Sequence, residues 1–458
     1  MISSVAAADL AHTLRQRRQR LAQRISFPVV LWSGQPVPRN FPALTYPFRA
    51  SSHFLYFAGL SMANAAIHLK GDRLTLFMDD ASAAAALWHG PGPSRDDIAT
   101  TIGADAAYPL AELPRFAEGV TTLGVQDATT AAEQLHLRGV IQPTQDKALA
   151  EAVIALRLTH DDAALGEIRK AAAVSVAAHR AGMAATATAA TEAQVRAAME
   201  QVILAQNMTC AYNSIVTVQG EVLHNEQYHH PLQPGDLLLA DVGAEAPSGW
   251  ASDITRTWPV AGEFSPTQRA VYDVVLAAHD ACIAQAAPGV EYRDIHLLAC
   301  EVLATGLVDL GILQGDPVGL VEQDAHALFF PHGVGHLLGL DVHDMEDLGD
   351  LAGYAPDRQR SDRFGLGYLR LDRPLQAGMV VTIEPGFYQV PGILQDSTRR
   401  DRYRDCVNWD RLTTFADVRG IRIEDDVLIT AMGATVLTAA LPTRAADIEA
   451  LVQSGVGG

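Results

Sequence analysis

Short apolar runs alternate with alanine-rich stretches over about the first 150 positions. The runs at 27–34 and 53–60 are rich in aliphatic and aromatic residues, which is typical of strands. In the run at 65–79, Gly71 and Asp72 separate two alternating apolar segments, and this pattern indicates a tight β-hairpin. The first part of the chain is therefore predicted to be a small α/β domain.

The pattern changes to long helices after this region. The segment 159–189 has acidic residues in its first turn and apolar residues at helical spacing, which predicts a capped amphipathic helix. Because a new domain begins with this helix, we predict one domain at 1–155 and a second at 156–458. A chain of 458 residues is also long enough to require at least two folding units.

Three further helices are predicted from their start signals. Thr191 and Gln194 have the spacing of a capping box, and Ser265 with Pro266 marks another start. The third helix follows the Pro-Gly pair at 288–289. The strand candidates of this part interleave with the helices without strict β-α alternation, which predicts an α+β fold. These candidates are 214–218, 236–244, 253–260, 378–388 and 420–430.

The composition narrows the choice of partners. Apolar residues make up 48% of the chain and charged residues 19%, as in an ordinary globular protein, and no run reaches the roughly 18 apolar residues of a spanning helix. The 34 basic and 53 acidic residues give a formal charge of −19, which disfavours nucleic acid and anionic membranes. Metal cations and small substrates remain as the expected partners.

The cysteines and the N-terminal segment bear on the location of the protein. The four cysteines lie far apart without a CxxC pair, which favours a reducing compartment. The arginine cluster at 15–20 follows a short apolar stretch instead of preceding a long one, so a secretory signal is not indicated. The segment instead predicts an amphipathic first helix. We expect a cytoplasmic protein.

Four acidic residues interrupt or end strand-forming runs. Asp241 ends an apolar run, and Asp253 opens the next run twelve positions later. Glu384 and Glu424 lie inside two other apolar runs. Burying four carboxylates costs several kcal/mol each unless cations accompany them, so we expect positive charge where they converge.

Three histidines follow one another in the segment 330–344, with glycines between them. His332 and His336 have a spacing that would suit one helical face, but the intervening glycines favour a tight loop or strand. His343 completes the group. The chain lacks HExxH and any cysteine partner for these residues, which argues against a zincin or zinc-finger site.

One imidazole and four carboxylates make a hard, oxygen-rich ligand set, which suits Mn(II). Four anions neutralise two divalent ions, so the charge count favours a dinuclear site. Two such ions share a water, lower its pKa and polarise a carbonyl. This combination predicts a hydrolase.

At these residues the sequence resembles the pita-bread metallopeptidases, in the branch of aminopeptidase P and prolidase. The motifs are DxG, SDITRT, HGxxHxxGLDVHD, TIEPGFY and GIRIEDD, and YPFRASSHFLYFAGL resembles the N-terminal domain of the same branch. The resemblance implies an aminopeptidase-P-type N-terminal domain followed by a pita-bread catalytic domain. The spacing from Asp241 to Asp253 is one position longer than the family's usual spacing, and a longer hairpin tip accommodates it.

The resemblance also implies the ligand roles. Asp253 and Glu424 bridge two divalent ions, most simply Mn(II), with Co(II) or Zn(II) as alternatives. Asp241 binds one ion, and His336 with Glu384 binds the other. Glu384 further takes the proton from the bridging water, which attacks the carbonyl before proline as a metal-bridging hydroxide.

The resemblance also implies residues that act beside the metal ligands. By resemblance, His343 stabilises the oxyanion, and His332 also takes part in catalysis. Substrate binding is assigned to His332 and His343 together with His224, Arg422 and Tyr388. For Arg422 a salt bridge to a ligand carboxylate is an equal alternative, and for Tyr388 packing is another; the role of Tyr212 stays open.

The implied activity is hydrolysis of the Xaa-Pro bond at the N-terminus of peptides with proline in second position. The alternative is an Xaa-Pro dipeptidase, or prolidase, because the polar segments 345–365 and 385–423 resemble those of the larger dipeptidases. Creatinase, which lacks the metal ligands, and a non-catalytic binding module are remoter alternatives. A homodimer or homotetramer is implied as well. Trp88 is interpreted as a core residue, with a lid over a neighbour's site as the alternative.

Overall fold

The computed structural model describes residues 4–455, and the chain divides into two compact units. The N-terminal unit runs to Leu158 and includes Pro247–Gly249, and the C-terminal unit holds Thr159–Ala246 and the chain from Trp250 onward. The division after Leu158 lies three residues beyond the predicted end of the first domain.

A four-stranded sheet with helices makes up the N-terminal unit. The strands are β1 Val29–Gly34, β2 Pro38–Phe41, β3 Leu44–Thr45, β4 Ala65–Lys70, β5 Arg73–Phe77 and β6 Ala106–Tyr108. The helices are α1 Ser4–Ala22, α2 Ser52–Ala58, α3 Ala83–His89, α4 Arg95–Ile102, α5 Pro114–Ala117, α6 Ala128–Arg138 and α7 Pro143–Arg157, with a 3₁₀ turn at Leu110–Glu112. The sheet order is β1-β4-β5-β6, in which β4 is antiparallel to both neighbours and β6 is parallel to β5. β1, the β4–β5 hairpin and the first helix confirm three predictions.

The prediction of a strand at 53–60 is wrong, because this segment forms helix α2. All seven residues of Ser52–Ala58 are buried, so the run shows no polar face and its periodicity is uninformative. Gly59 ends the helix in the left-handed conformation, with φ +69°. The placement of Trp88 in the core is also wrong, since 80% of its surface is exposed on α3.

Long helices and short antiparallel sheets make up the C-terminal unit. The helices are α8 Asp162–Thr186, α9 Glu192–Ala205, α10 Pro266–Gln285, α11 Tyr292–Asp309, α12 Pro317–Glu322, α13 Asp350–Gly353, α14 Pro391–Leu394, α15 Ser397–Arg402, α16 Trp409–Thr413 and α17 Ala445–Ser454, with 3₁₀ turns at Ala325–Leu328 and Glu346–Leu348. The strands are β7 Thr209–Cys210, β8 Ile215–Thr217, β9 Leu237–Asp241, β10 Ala244–Glu245, β11 Thr255–Pro259, β12 Val380–Ile383, β13 Gly386–Tyr388, β14 Gly420–Arg422, β15 Asp425–Thr430 and β16 Gly433–Val436. Their sheets have the orders β11-β9-β8, β12-β15-β16, β13-β14 and β10-β7.

The first turns of α9 and α10 can be compared with the capping interactions predicted for them. Ser265 and Gln268 form a complete capping box at α10, which confirms the start at this position. At α9 the helix is present, but the Thr191 side chain makes no capping bond. Gln194 instead accepts a hydrogen bond from the backbone N–H of Ala190 at 2.5 Å, so the predicted capping box is wrong.

Buried side chains from α8, α9 and α17 pack against β8, β9 and β11 to form a core of this unit. Met183, Met199, Leu238, Trp258 and Ile448 belong to it, and each is fully buried. This packing holds β9 and β11, the two strands next to the acidic positions, on a rigid support. In residues 4–455 no helix combines the length and apolar character that crossing a bilayer requires.

Candidate active site

Strand pairing brings the acidic positions together. Asp241 is the last residue of β9 and pairs with Thr255 at the start of β11. The runs around Glu384 and Glu424 break at these residues, so that Glu384 lies between β12 and β13 and Glu424 between β14 and β15. Because β12 pairs with β15 and β13 with β14, the two breaks lie side by side.

Asp253 joins this group from the segment just before β11. The hydroxyl of Tyr212 lies 2.6 Å from Oδ1 of Asp241 and also contacts Asp253, so the longer spacing between the two aspartates does not separate them. The Glu424 carboxylate accepts a hydrogen bond from Thr255 Oγ1 at 2.6 Å. The four carboxylates therefore form one cluster.

His336 enters the cluster from a loop that approaches β12 closely. A side chain at Gly335, which has φ +156°, would collide with Tyr292 and Thr382. The Nδ1 of His336 lies 3.0 Å from the carbonyl of Leu337; since a carbonyl only accepts, Nδ1 donates and Nε2 presents its lone pair. Nε2 lies 3.5 Å from Asp253 Oδ2 and 3.6 Å from Glu384 Oε1.

The cluster has the donors and the spacing of a metal site. Asp253, His336 and Glu424 each offer one ligand atom, and these three atoms lie within 4.8 Å of one another. Nitrogen from one imidazole and oxygen from the carboxylates suit hard or borderline divalent ions.

The electrostatics of the cluster also require cations. Burial raises the pKa of Asp253 to about 8, and Asp241 adds to this shift. Burial also raises the pKa of Glu384 to about 7, although His336 and Arg422 oppose the shift. For Glu424, burial and then the charges of Asp253 and Glu384 raise the pKa well above its ordinary value. The carboxyl groups cannot all ionise here without added positive charge, so the residues fit divalent metal ions.

Arg422 contacts both a predicted ligand and two neutral groups. Its Nη2 donates to Asp241 Oδ2 at 2.5 Å, Nη1 to the Tyr388 hydroxyl at 3.0 Å and Nε to Thr255 Oγ1 at 2.9 Å. Arg422 also lines the cavity described below, so the salt bridge and a position at the site occur together.

His332 and Tyr388 form a second layer of contacts. The Nδ1 of His332 lies 2.8 Å from the carbonyl of Gly333 and must donate, which leaves Nε2 to accept from the Tyr388 hydroxyl at 2.9 Å. Burial and then Arg422 lower the pKa of His332 to about 3, so its ring is neutral at neutral pH. Tyr388 is fully buried behind His332 and Arg422 and does not line the cavity.

His343 stacks edge-on against His336, with ring centroids 4.2 Å apart. Its Nδ1 donates to Glu346 Oε2 at 2.5 Å, and Arg370 Nε donates to the other oxygen of this carboxylate at 3.1 Å. The sequence analysis missed Glu346 and Arg370. A signal existed, because Glu346 follows His343 by three positions in a turn, but its partner Arg370 is distant in sequence.

These residues surround a cavity of about 420 Å³ in the C-terminal unit. The nine predicted site residues that line it are His224, Asp241, Asp253, His332, His336, His343, Glu384, Arg422 and Glu424. Arg370 and the exposed Tyr368 line it too, and an apolar wall is formed by Leu223, Pro331, Val390 and Ile393. The cavity thus offers one acidic, cation-binding side and one apolar side, which suits a small organic substrate.

A model of metallopeptidase family M24 matches residues 166–431, which is more than half of the chain. The chain belongs to metallopeptidase family M24. A model of the N-terminal domain of aminopeptidase P matches residues 14–124. Both matches confirm the resemblance and the domain types predicted from the sequence, and membership implies the use of divalent metal ions.

Relatives from three bacteria resemble this M24 chain over nearly its whole length. The Xaa-Pro aminopeptidase of Haemophilus influenzae is 31% identical over 453 residues, covering 95% of this chain and 96% of the relative. The structure of Pseudomonas aeruginosa aminopeptidase PepP matches with a TM-score of 0.81 and 29% identity, covering 98% and 99% of the two chains. Escherichia coli aminopeptidase P with the inhibitor Pro-Leu matches with a TM-score of 0.78 and 28% identity, covering 97% and 98%. The predictions of an α+β metalloexopeptidase are confirmed.

Proposed function

We propose that this metallopeptidase hydrolyses the Xaa-Pro bond at the N-terminus of peptides, as an aminopeptidase P. The observation that carries the proposal is the cluster of carboxylates and His336 on the floor of a cavity with an apolar wall. The Xaa-Pro aminopeptidase of H. influenzae supports the substrate class. The Pro-Leu inhibitor of the E. coli enzyme supports it as well, because Pro-Leu is what remains after Xaa is removed from Xaa-Pro-Leu.

Five residues would hold two divalent ions, for which Mn(II) is our choice. They are Asp241, Asp253, His336, Glu384 and Glu424. When bound, the ions supply Lewis acidity toward the carbonyl and an acidified water. Two ions carry the four positive charges that neutralise four carboxylates, which is the reason for proposing a dinuclear site.

The proton chemistry falls to Glu384 and His343. Glu384 is the proposed general base, because its carboxylate lines the cavity and lies 3.6 Å from His336 Nε2, beside the place where the ions would be held. His343 already donates Nδ1–H to Glu346. Its Nε2 therefore donates to an oxyanion only when the ring is protonated. Burial and then His336 lower the pKa of His343, and the Glu346 carboxylate opposes this shift.

We propose that the apolar wall of the cavity and the histidines beside it bind the proline of the substrate. A tertiary Xaa-Pro amide has no N–H, so backbone pairing is unavailable at this bond and side chains must position the substrate. The apolar wall suits the pyrrolidine ring. His224 is the proposed hydrogen-bonding group beside it. His332, whose two ring nitrogens are bonded to Gly333 and Tyr388, is proposed to contact the substrate by packing.

A second candidate, the Xaa-Pro dipeptidase, is favoured by Arg370. Arg422 is buried and bonded to Asp241, whereas Arg370, which donates Nε to Glu346, lines the cavity with a side chain that is 34% exposed. A free carboxylate on proline would pair with such a cation. The two candidates therefore differ in what Arg370 contacts.

The deciding experiment compares Ala-Pro with Ala-Pro-Ala as substrates of the Mn(II)-loaded protein. We expect the tripeptide to be cleaved, and Arg370→Met to change its KM little. If only Ala-Pro is cleaved and Arg370→Met raises its KM about tenfold or more, the dipeptidase assignment replaces ours. Arg404→Met, at an exposed arginine of the same unit that does not line the cavity, serves as the matched control.

Self-association as a homodimer or homotetramer is also proposed. Leu87 and Trp88 on α3 are 79% and 80% exposed, and large apolar side chains that face solvent together commonly mark interaction surfaces. Sedimentation velocity of the wild type and of Trp88→Glu tests this: a monomeric wild type contradicts it. The cytoplasmic location stays a prediction.

A further inference from the structure

A second cavity lies in the N-terminal unit, at one edge of its sheet. β1 and β5 are both antiparallel to β4, so their carboxyl ends lie at the same edge, and β6 is parallel to β5. The cavity has a volume of about 440 Å³ and is lined by Trp32 near the end of β1, Asp79 just after β5 and Leu110 just after β6. Crevices beyond the carboxyl ends of strands are where open α/β sheets bind ligands.

Two residues that line this cavity, Trp32 and Thr130, each have a buried polar atom without a partner in the described part of the chain. Trp32 is 4% exposed and its indole N–H makes no hydrogen bond within residues 4–455. Thr130 on α6 is 1% exposed, and its hydroxyl is likewise unpaired in the described part of the chain. Buried polar groups in native proteins are nearly always satisfied, so these two indicate a partner from outside the chain, either a water or a bound polar molecule.

The charge of the cavity selects the kind of molecule. Asp79 and Glu133 line it, while none of the described residues lining it is Lys, Arg or His. One oxygen of Asp79 accepts from the Leu110 N–H at 3.0 Å, and one oxygen of Glu133 accepts from Gln35 Nε2 at 3.3 Å. Within residues 4–455 neither carboxylate forms an ion pair, so the site favours a cationic ligand.

The donors next to these carboxylates add a second requirement. The indole of Trp32 can only donate, so its partner must be an acceptor, and the Thr130 hydroxyl can either donate or accept. A ligand that carries an ammonium group beside a carbonyl or carboxylate satisfies both the acidic and the donating groups. A volume of about 440 Å³ is of the size that holds such a small molecule.

We infer that the N-terminal unit binds the α-ammonium group and neighbouring carbonyl of an amino acid or a peptide N-terminus at this cavity. The site is separate from the metal cluster in residues and chemistry, since every ligand of that cluster belongs to the C-terminal unit. The inference does not depend on the proposed peptidase specificity. It adds a binding site for the kind of group that the enzyme releases or meets.

Calorimetric titration of the full, metal-loaded protein tests the inference with matched probes. L-alanine amide carries the ammonium and carbonyl groups, and N-acetyl-L-alanine amide has a neutral acetamide in place of the ammonium group. We expect the first to bind and the second not to bind. Trialanine and free L-alanine then separate a peptide end from a free amino acid as the source of the group.

Two variants separate this cavity from the active site. Thr130→Val keeps the side-chain shape, and Thr130→Val with Glu133→Gln also removes one charge; we expect alanine amide to bind at least tenfold more weakly to the double variant. Thr129→Val and Glu118→Gln change exposed residues of the same unit that do not line the cavity and serve as controls. Thermal melts show that the variants are folded, and replacing an unpaired buried hydroxyl is expected to leave stability unchanged or raised.

Unchanged titration curves for alanine amide in the double variant would overturn the inference, because all binding would then arise at the active site. Equal binding of the acetylated probe would overturn it too, since the carboxylates would have no role. A third contrary result is no binding of any probe to the wild type, which leaves only water for Trp32 and Thr130.

Discussion

Glu424 and Asp425 are neighbours in sequence and both are buried, yet they lie in opposite electrostatic environments. Burial and the nearby carboxylates raise the pKa of Glu424 well above its ordinary value. Burial alone would raise the pKa of Asp425 also, but Arg256 and His279 outweigh it and hold this pKa below the ordinary value. Glu424 therefore lies among other carboxylates, whereas Asp425 lies beside the side chains of Arg256 and His279.

The negative charge of Asp425, which lies behind the cavity, is neutralised by side chains of the protein itself. Asp425 accepts from Arg256 Nη2 at 2.8 Å and from Thr438 Oγ1 at 2.5 Å, and His279 Nε2 lies 3.1 Å from its other oxygen. Arg256 also donates to the carbonyl of Glu424 at 2.6 Å, which fixes the backbone of the predicted ligand.

The difference separates structural from functional buried charge. A buried carboxylate with its own arginine stabilises the fold, whereas carboxylates that repel one another require cations from outside the chain. The cluster at the cavity is of the second kind. Each prediction below tests this separation, beginning with the largest expected effect.

Replacing Glu384 with Gln should lower kcat by about 10³-fold, because the variant keeps the size of the side chain but cannot accept a proton or neutralise an ion. Initial rates on Ala-Pro-Ala with Mn(II) measure this. The melting temperature of the metal-free protein should not fall, since one of several repelling groups is removed. Glu301→Gln, on the exposed face of α11, is the matched control, and unchanged turnover in Glu384→Gln would refute the assignment.

Replacing Asp425 with Asn should have its main effect on stability. The change leaves Arg256 buried without a carboxylate, and breaking a buried pair in this way costs about 3 kcal/mol or more. Urea unfolding in the presence of a chelator measures the loss without any contribution from metal. Asp309→Asn, at an exposed helix end, should have little effect. An equally stable Asp425→Asn protein would show that the two kinds of buried charge do not differ as described.

Much of the site could be predicted because its acidic residues break strong strand patterns. Asp241, Glu384 and Glu424 were identified as anomalies in apolar runs, and the structure places them at a strand end or at strand breaks. The same pattern could not reveal Arg256, since an arginine in a β-strand next to a threonine has no feature that marks it as buried. Its partner is 169 positions away, and tertiary contacts of this range leave no local signal.

The errors have local physical causes. The run at 53–60 was mistaken for a strand because a short helix that is buried on every side has no apolar and polar faces whose period could be measured. Trp88 was placed in the core because large aromatic residues usually lie there, although residues at interfaces share this composition. Arg370 was missed because it lies between Leu369 and Leu371 in a part of the chain without a helix or strand to locate it.

The metal-free protein should lose stability as the pH rises. This is the reverse of the usual effect of carboxyl groups, whose pKa values folding commonly lowers. Since the pKa values of Asp253 and Glu384 are raised to about 8 and about 7, the folded state holds protons that the unfolded state loses near pH 4. The unfolding free energy then falls between about pH 4 and pH 8, by up to about 1.4 kcal/mol per pH unit for each extra proton.

Bound cations should remove this slope, because they stabilise the ionised carboxylates. Melting temperatures of chelator-treated and Mn(II)-loaded protein, measured from pH 5 to pH 8, should diverge as the pH rises. Asp425 contributes the opposite sign at low pH, since its lowered pKa gives stability that is lost only as the pH falls below about 4. Parallel curves for the two samples would mean that the cluster does not bind cations.

The smallest expected effect is a change in kcat/KM that should occur for one of two buried tyrosines and not for the other. The Tyr388 hydroxyl connects His332 and Arg422 at 2.9 and 3.0 Å, whereas the Tyr272 hydroxyl donates to the carbonyl of Thr443 at 2.7 Å. A hydrogen bond contributes about 1 kcal/mol, so both variants should lose stability, and Tyr388→Phe at least as much as Tyr272→Phe because it removes two bonds. Only Tyr388→Phe should also lower kcat/KM, by about fivefold, because His332 and Arg422 line the cavity. An equal change of kcat/KM in both variants would show that Tyr388 acts through general stability and not by positioning the side chains of the site.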